Sequence, residues 1–273
     1  MNQLSISNIG FDNNEILAYA KKFHDIGIQG IEIAPTKIWG VLDKSKYKLV
    51  KQLRQNLHDL GIQVSGIQSL FYGLPEFQIL NRSSWPEIYR HLVLIFEISE
   101  LLEAKILVFG SPKNRLRAEL SETDADQIAA SFFRGLEPYL ESYGLRIALE
   151  PNAREYGADY LITYTDVIRL EKLISSKHIG VQIDTGCLSL AQVNSAKSIQ
   201  LKDPIHVHIS APNLVSPSSA SIDFAEIQKA LTSIHFSGWT VLEVLEFADD
   251  QSVSILDSAQ WFVDTFKVRT TEK

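Results

Sequence analysis

The stretch "SYGLRIALEP" (Ser142–Pro151) holds one complete cycle of the pattern that decides the fold. Upstream of it, Ile128, Phe132, Leu136 and Tyr139 recur at intervals of four, four and three, the spacing of a helix with one apolar face. Gly144 follows, in the place where a left-handed residue closes a helix. The run "RIALE" (Arg146–Glu150) is then apolar throughout its middle, as a strand buried on both faces should be, and it ends on a carboxylate.

The same cycle repeats along the chain. Further apolar runs are Leu4–Ile9, Gly30–Ala34, Ile62–Gln68, Lys105–Gly110, Ile179–Asp184, Ile205–Ser210 and Trp239–Val244, which brings the strands to eight. Gly27 in "DIGIQG" and Gly61 in "DLGIQV" close helices as Gly144 does, and Ile255, Ala259, Phe262 and Phe266 mark a helix after the last strand. Strands that alternate with helices form a parallel sheet, and eight such units predict a closed (β/α)8 TIM barrel, read as one domain over residues 1–273. No Gly-x-Gly-x-x-Gly follows any strand, which argues against an open dinucleotide-binding sheet.

Composition agrees with this reading. The chain has 273 residues, and single barrels of this type take roughly 250. A net charge of −7 argues against nucleic acid as the main ligand. The lone cysteine permits no internal disulfide and fits a reducing cytoplasm. The start "MNQLSISNIGFDNNE" has neither a basic nor an apolar leader region, and no apolar run nears the ~20 residues of a membrane helix.

In such barrels the chemistry sits where the strands end. Glu150 ends strand five, Asp184 ends strand six, His208 lies near the tip of strand seven and Glu243 near the tip of strand eight; His206 precedes His208 on the same face. A single carboxylate at a strand end commonly caps the next helix or pairs with a cation. Three at one depth would repel one another strongly, and a divalent cation resolves that repulsion. Three carboxylates with one imidazole suit Mn²⁺, Mg²⁺ or Co²⁺, with Zn²⁺ also within range.

The succession "LEPN", "QIDTG", "HVHIS" and "GWTVLEV", together with "GIQGIEIAP" at strand two, resembles the xylose isomerase-like barrels, the sugar phosphate isomerase/epimerase superfamily. That superfamily includes ketose 3-epimerases, hydroxypyruvate isomerases, inosose dehydratases and the endonuclease IV branch. The resemblance implies that Glu150, Asp184, His208 and Glu243 are metal ligands and that Glu150 and Glu243 also form an acid/base pair. It implies an isomerase or epimerase of a small sugar-like keto substrate, working through a metal-stabilised enediolate. Loss of a neighbouring hydroxyl would instead give a dehydratase, and a non-catalytic sugar-binding barrel is a further alternative. An abasic-site endonuclease is disfavoured by the acidic charge and by the lack of histidines at the ends of strands two to four. Related barrels often pair as dimers or tetramers; the sequence leaves the oligomeric state open, with a homodimer or homotetramer among the alternatives.

This sequence departs from the epimerase pattern in two places. Cys187 stands where a substrate-contacting histidine is common, and "ISAPNLVSPSS" supplies no arginine after strand seven. Cys187 is therefore either a substrate contact or a small buried apolar residue. Gly186, next to it, is expected to let the chain turn away from Asp184. In "VFGSPKNRLR", Lys113, Arg115 and Arg117 follow strand four and could clamp an anionic group of the substrate. Glu32 and Gln68 end their strands and could bond hydroxyls, Tyr156 could cover the pocket, and Phe71, Tyr72 and Phe77 could wall it or serve packing. His24, His58 and His91 fall in helical stretches and read as surface residues.

Overall fold

The computed structural model describes residues 3–245 and 253–267. The single-domain expectation over 1–273 therefore includes stretches at both ends, and residues 246–252, that lie outside the described residues. The strands are β1 (Gln3–Ser7), β2 (Gly30–Ile33), β3 (Gln63–Ile67), β4 (Ile106–Phe109), β5 (Arg146–Leu149), β6 (Ile179–Asp184), β7 (His206–Ile209) and β8 (Trp239–Leu242). All neighbours pair in parallel, and β1 pairs with β8 to close the barrel.

The predicted strands match within a residue or two; β1 stops at Ser7, two residues short of the predicted end. Asn8–Gly10 is a turn of 3-10 helix, capped by the Ser7 hydroxyl on the Ile9 N–H. Parallel strands wrapped by helices are buried on both faces, which is why Ile6, Ile31, Ile147, Val181 and Val207 are wholly inaccessible. Gly144 adopts φ +62° at the end of the helix Glu122–Tyr143, and its N–H bonds back to that helix, as its place in the opening stretch requires. On that helix Phe132 and Leu136 are buried as predicted, but Tyr139 is exposed, because Ala125, Ala129 and Leu140 share the packing stripe instead. The stripe Ile255, Ala259, Phe262 and Phe266 is buried throughout. No described helix is long and apolar enough to cross a membrane.

Register places the functional rim. Asp184 stands opposite His208, and His208 opposite Val241. Glu150 and Glu243 lie just past their strands but keep the ladder going: their N–H groups bond Phe109 O at 3.1 Å and Ile209 O at 2.9 Å. Inside the barrel, polar groups replace the usual branched aliphatics. Ser5 and Ser65 bond across it at 2.6 Å, and Glu32, Gln182, His206 and His208 are buried above them.

Candidate metal centre

His208 is the hub. Its Nδ1 faces Glu150 Oε1 at 3.2 Å, Glu243 Oε2 at 3.4 Å and Asp184 Oδ2 at 3.8 Å. Ligand atoms of Glu150, Asp184 and His208 all lie within 4.8 Å of one another. The four residues expected to hold a metal are thus brought together at one end of the barrel.

The electrostatics reflect three carboxylates crowded around one imidazole. Burial, then the charges of Glu150 and Glu243, push the Asp184 carboxyl up to about 7. Burial works against a charged His208, but Glu32 and Glu243 outweigh it and raise the imidazole well above its ordinary value. His208 Nδ1 is itself buried with no hydrogen-bond partner, although three carboxylates surround it. A divalent ion that displaced the imidazole's proton would meet one ring nitrogen and three carboxylates, a donor set that fits it.

Two of the candidate ligands, Glu150 and Asp184, are held from behind. Gln182 Nε2 donates to Glu150 Oε1 at 2.7 Å, and Asn152 Nδ2 to Oε2 at 3.0 Å. Asp184 caps the short helix Thr185–Leu190 by accepting the Cys187 N–H at 2.6 Å, and both its oxygens accept from the Ser210 hydroxyl at 3.0 Å. Asp184 thus caps the helix and still leaves Oδ2 facing His208 Nδ1 at 3.8 Å. Gly110 leaves room for Glu150: a Cβ there would sit 2.2 Å from Oε2. Sequence reasoning missed Gln182, Asn152, Ser210 and Gly110. The signal lay in the quoted motifs, since these residues neighbour the tips of β4 to β7.

Several expected substrate contacts are placed elsewhere. Glu32 is fully buried and accepts from His206 Nε2 at 2.6 Å, His208 Nε2 at 2.9 Å and Gln68 Nε2 at 2.9 Å. Burial alone would raise this carboxyl, yet His208 and His206 overcome it and hold it at about 2. Glu32, Gln68 and His206 therefore form a layer beneath the rim instead of bonding sugar hydroxyls. Arg115 does not clamp an anion: it is fully buried, and its guanidinium donates to Glu150 O at 2.8 Å, Asn152 Oδ1 at 2.8 Å and Leu161 O at 3.3 Å. Burial lowers it to about 10. Lys113 is exposed and lines a cavity of about 350 Å³ with Ser69, Tyr72, Ser111 and Asn114, beginning one residue beyond Gly110. Arg117 lines a separate cavity outside the β5 and β6 ends.

Cys187 is buried, its thiol faces Asn152 Nδ2 at 3.8 Å, and burial pushes it well above its ordinary value, so the thiol stays neutral. Gly186 does not turn the chain with a left-handed residue. It lies in the helix Thr185–Leu190, where a Cβ would meet Ser210 and Ala211 at under 3 Å. Tyr156 is half-buried and accepts the Asn213 N–H at 2.8 Å, which joins the β5 and β7 loops. Burial raises its hydroxyl to about 12, with Asp184 and Glu243 among the charges adding to the effect. Phe71 and Phe77 are packing residues, edge-to-face at 5.8 Å, while Tyr72 is exposed. His24 and His58 are on the surface as expected, but His91 is half-buried, bonded to Leu70 O at 2.8 Å and packed on Phe77.

A closed parallel barrel with a carboxylate and imidazole cluster at the strand tips defines a class of TIM barrels with a candidate metal-ligand group at the rim. The chain belongs to the xylose isomerase-like TIM barrel family, whose model matches residues 20–264. Over 90 residues it is 30% identical to a D-psicose 3-epimerase of Enterocloster bolteae; the match spans 32% of this chain and 30% of that protein. Among solved structures, a 3-keto-D-glucoside 4-epimerase of E. coli superposes with a TM-score of 0.77 at 19% identity, covering 97% of this chain and 100% of the other. A family 2 AP endonuclease of Brucella melitensis gives a TM-score of 0.80 at 14% identity, covering 97% and 99%. The IolI protein with a bound zinc atom gives 0.72 at 17%, covering 97% and 98%.

Proposed function

We propose that this protein is a divalent-metal-dependent isomerase or epimerase of a small sugar-like keto substrate. The observation that carries the reading is the convergence of Glu150, Asp184 and Glu243 on the orphaned Nδ1 of His208. Those four residues would hold Mn²⁺, Mg²⁺ or Co²⁺, and zinc in the solved IolI relative supports Zn²⁺ as a fourth choice. A bound cation supplies positive charge to the carbonyl and hydroxyl oxygens of the substrate. The printed activities of the partial relative and of the E. coli structure, both sugar epimerases, point the same way.

The residues themselves perform the proton chemistry. Glu150 and Glu243 are each 8% exposed, the most open of the rim group, against 3% for Asp184 and 1% for His208. They come from β5 and β8, with β6 and β7 between them, so they flank the hub from two sides. One removes a proton from the carbon beside the carbonyl, and the other returns one. Gln182 and Asn152 fix the Glu150 carboxylate for that transfer. Lys113 is the remaining candidate for an anionic substituent, because it is exposed and lines a cavity with Ser111 in the loop that follows β4. The acidic net charge of −7 weighs against the endonuclease reading despite the Brucella likeness.

The test is solvent exchange. Protein loaded with Mn²⁺ and incubated in D2O with ketoses should place deuterium beside the carbonyl, and Glu150→Gln and Glu243→Gln should slow this by on the order of 10²–10⁴. A new alkene or diketone product would indicate dehydration. Metal uptake without exchange into any ketose would favour a binding protein, and no metal uptake by calorimetry would defeat the reading.

A further inference from the structure

The buried trio Glu32, His206 and His208 has two explanations, a second cation or a hydrogen-bonded support. Their ligand atoms do lie within 4.8 Å of one another. Their spacing decides between the two. Glu32 Oε1 is 2.6 Å from His206 Nε2, and Oε2 is 2.9 Å from His208 Nε2. Two ligands of one tetrahedral ion, with bonds of ~2.0–2.2 Å, stand roughly 3.3 Å apart. A separation of 2.6 Å is that of a charge-assisted N–H···O bond. An ionised carboxylate accepts only, so both imidazoles donate through Nε2.

The backbone is shaped for this carboxylate. The β2–β3 register shifts between Ile31 and Glu32, which brings Gly66 opposite Glu32. A Cβ on Gly66 would lie 2.9 Å from Oε1 and would force the carboxylate to shift. Gln68 Nε2 supplies a third donor at 2.9 Å. Both oxygens are thereby occupied, and the carboxylate cannot rotate freely.

We infer that Glu32 is a positioning residue that dictates which nitrogen of His208 meets the metal, an inference that rests on the metal reading of the rim. By holding the proton on Nε2, it leaves the Nδ1 lone pair directed at the space among Glu150, Asp184 and Glu243. A carboxylate behind a ligating histidine fixes its tautomer and ring orientation and increases its basicity as a ligand. His206, on the other oxygen, keeps Glu32 aimed at His208. The support comes from β2, on the far side of the barrel from β7, and ties the site to the interior instead of to its loops.

The test combines affinity, stoichiometry and nitrogen spectroscopy. Glu32→Gln retains one acceptor oxygen and turns an amide N–H₂ towards an imidazole N–H. Its Kd for Mn²⁺ by calorimetry should weaken by roughly 10–100-fold, with partial recovery in Glu32→Asp. Zn²⁺-loaded protein labelled with ¹⁵N-histidine should show a proton on His208 Nε2 and none on Nδ1, the signal being assigned by its loss in His208→Gln. Wild type and Glu32→Gln should both bind one ion per chain. An unchanged Kd in Glu32→Gln, or a proton on Nδ1 of the loaded wild type, overturns the inference. Two ions per wild-type chain, with one lost in Glu32→Gln, overturns it in favour of a second cation. The wild-type spectrum decides the tautomer even when the variant does not fold. A wild type that takes up no ion at all defeats the proposed function as well, which separates the two failures.

Discussion

Gly110 stands against the carboxylate of Glu150 so closely that a methyl group on its Cα would lie 2.2 Å from Oε2. Gln182 and Asn152 hold that carboxylate in place, so it cannot simply swing away. Gly110→Ala should therefore destabilise the fold by about 1–3 kcal/mol through overpacking. It should also weaken Mn²⁺ binding at least tenfold, because Glu150 is displaced. Urea unfolding and calorimetry check the two effects separately; tight metal binding by the variant would show that Glu150 is not a ligand.

The metal should stabilise the protein more at alkaline than at acid pH. In the metal-free chain the Asp184 carboxyl is raised from its ordinary 3.8 to about 7, so the folded state holds a proton that the unfolded state has lost. That contribution is fully present below about pH 4 and disappears as pH rises through about 7. A bound cation must displace the proton, and its affinity rises over the same interval. Thermal melts at pH 6 and pH 8, with and without excess Mn²⁺, should show the larger metal-induced rise in Tm at pH 8. Equal shifts would contradict the assignment of Asp184.

Arg115 and Lys113 should behave oppositely, though both belong to the same basic loop. Arg115→Met leaves the carbonyls of Glu150 and Leu161 and the Asn152 amide oxygen without their buried donor. The expected loss is about 3 kcal/mol, and Arg115→Lys should recover little of it, since a single ammonium cannot serve three acceptors in a fork. Lys113→Ala should alter stability by less than about 0.5 kcal/mol, because the side chain is exposed. Should the substrate carry an anion, Lys113→Ala would raise KM with kcat little changed.

The thiol of Cys187 should be inert in the native protein. It is buried, and burial keeps it protonated well above its ordinary range. Reaction with a thiol-specific disulfide reagent should run at least 100-fold slower than in denaturant, and its rate should track unfolding. Rapid native labelling would instead place the sulfur at the open site.

The barrel and the gathering of Glu150, Asp184, His208 and Glu243 at its rim could be read from sequence because both rest on local pattern. The alternation ending in "RIALE" specifies strands, and a strand tip specifies the rim. The fate of Glu32, Arg115 and His91 could not be read that way. Each sits next to residues predicted correctly, but its role depends on a partner far along the chain: His206 for Glu32, Asn152 for Arg115, Phe77 and Leu70 for His91. A charged residue at a strand end reads as a pocket group unless its partner is known. Tyr139 illustrates the milder error, since two alanines, which weigh little in a periodicity count, carry the stripe that its helix buries.

The Glu32–His208 bond joins residues 176 positions apart, and Glu32–His206 spans 174. Contacts of such separation form only when distant ends of the chain have already met, and chains dominated by them fold slowly. The Glu32 support of His208 can assemble only after β2 and β7 share one interior, whereas Glu150, Asp184 and Glu243 reach His208 from neighbouring strands, so a late gain in Mn²⁺ affinity during refolding would be a clock for ring closure. A chain whose eight strands are formed but whose seam between β1 and β8 is still open would keep β5 to β8 side by side and look folded by circular dichroism, yet it would lack the Glu32 support and should bind Mn²⁺ roughly 10–100-fold more weakly.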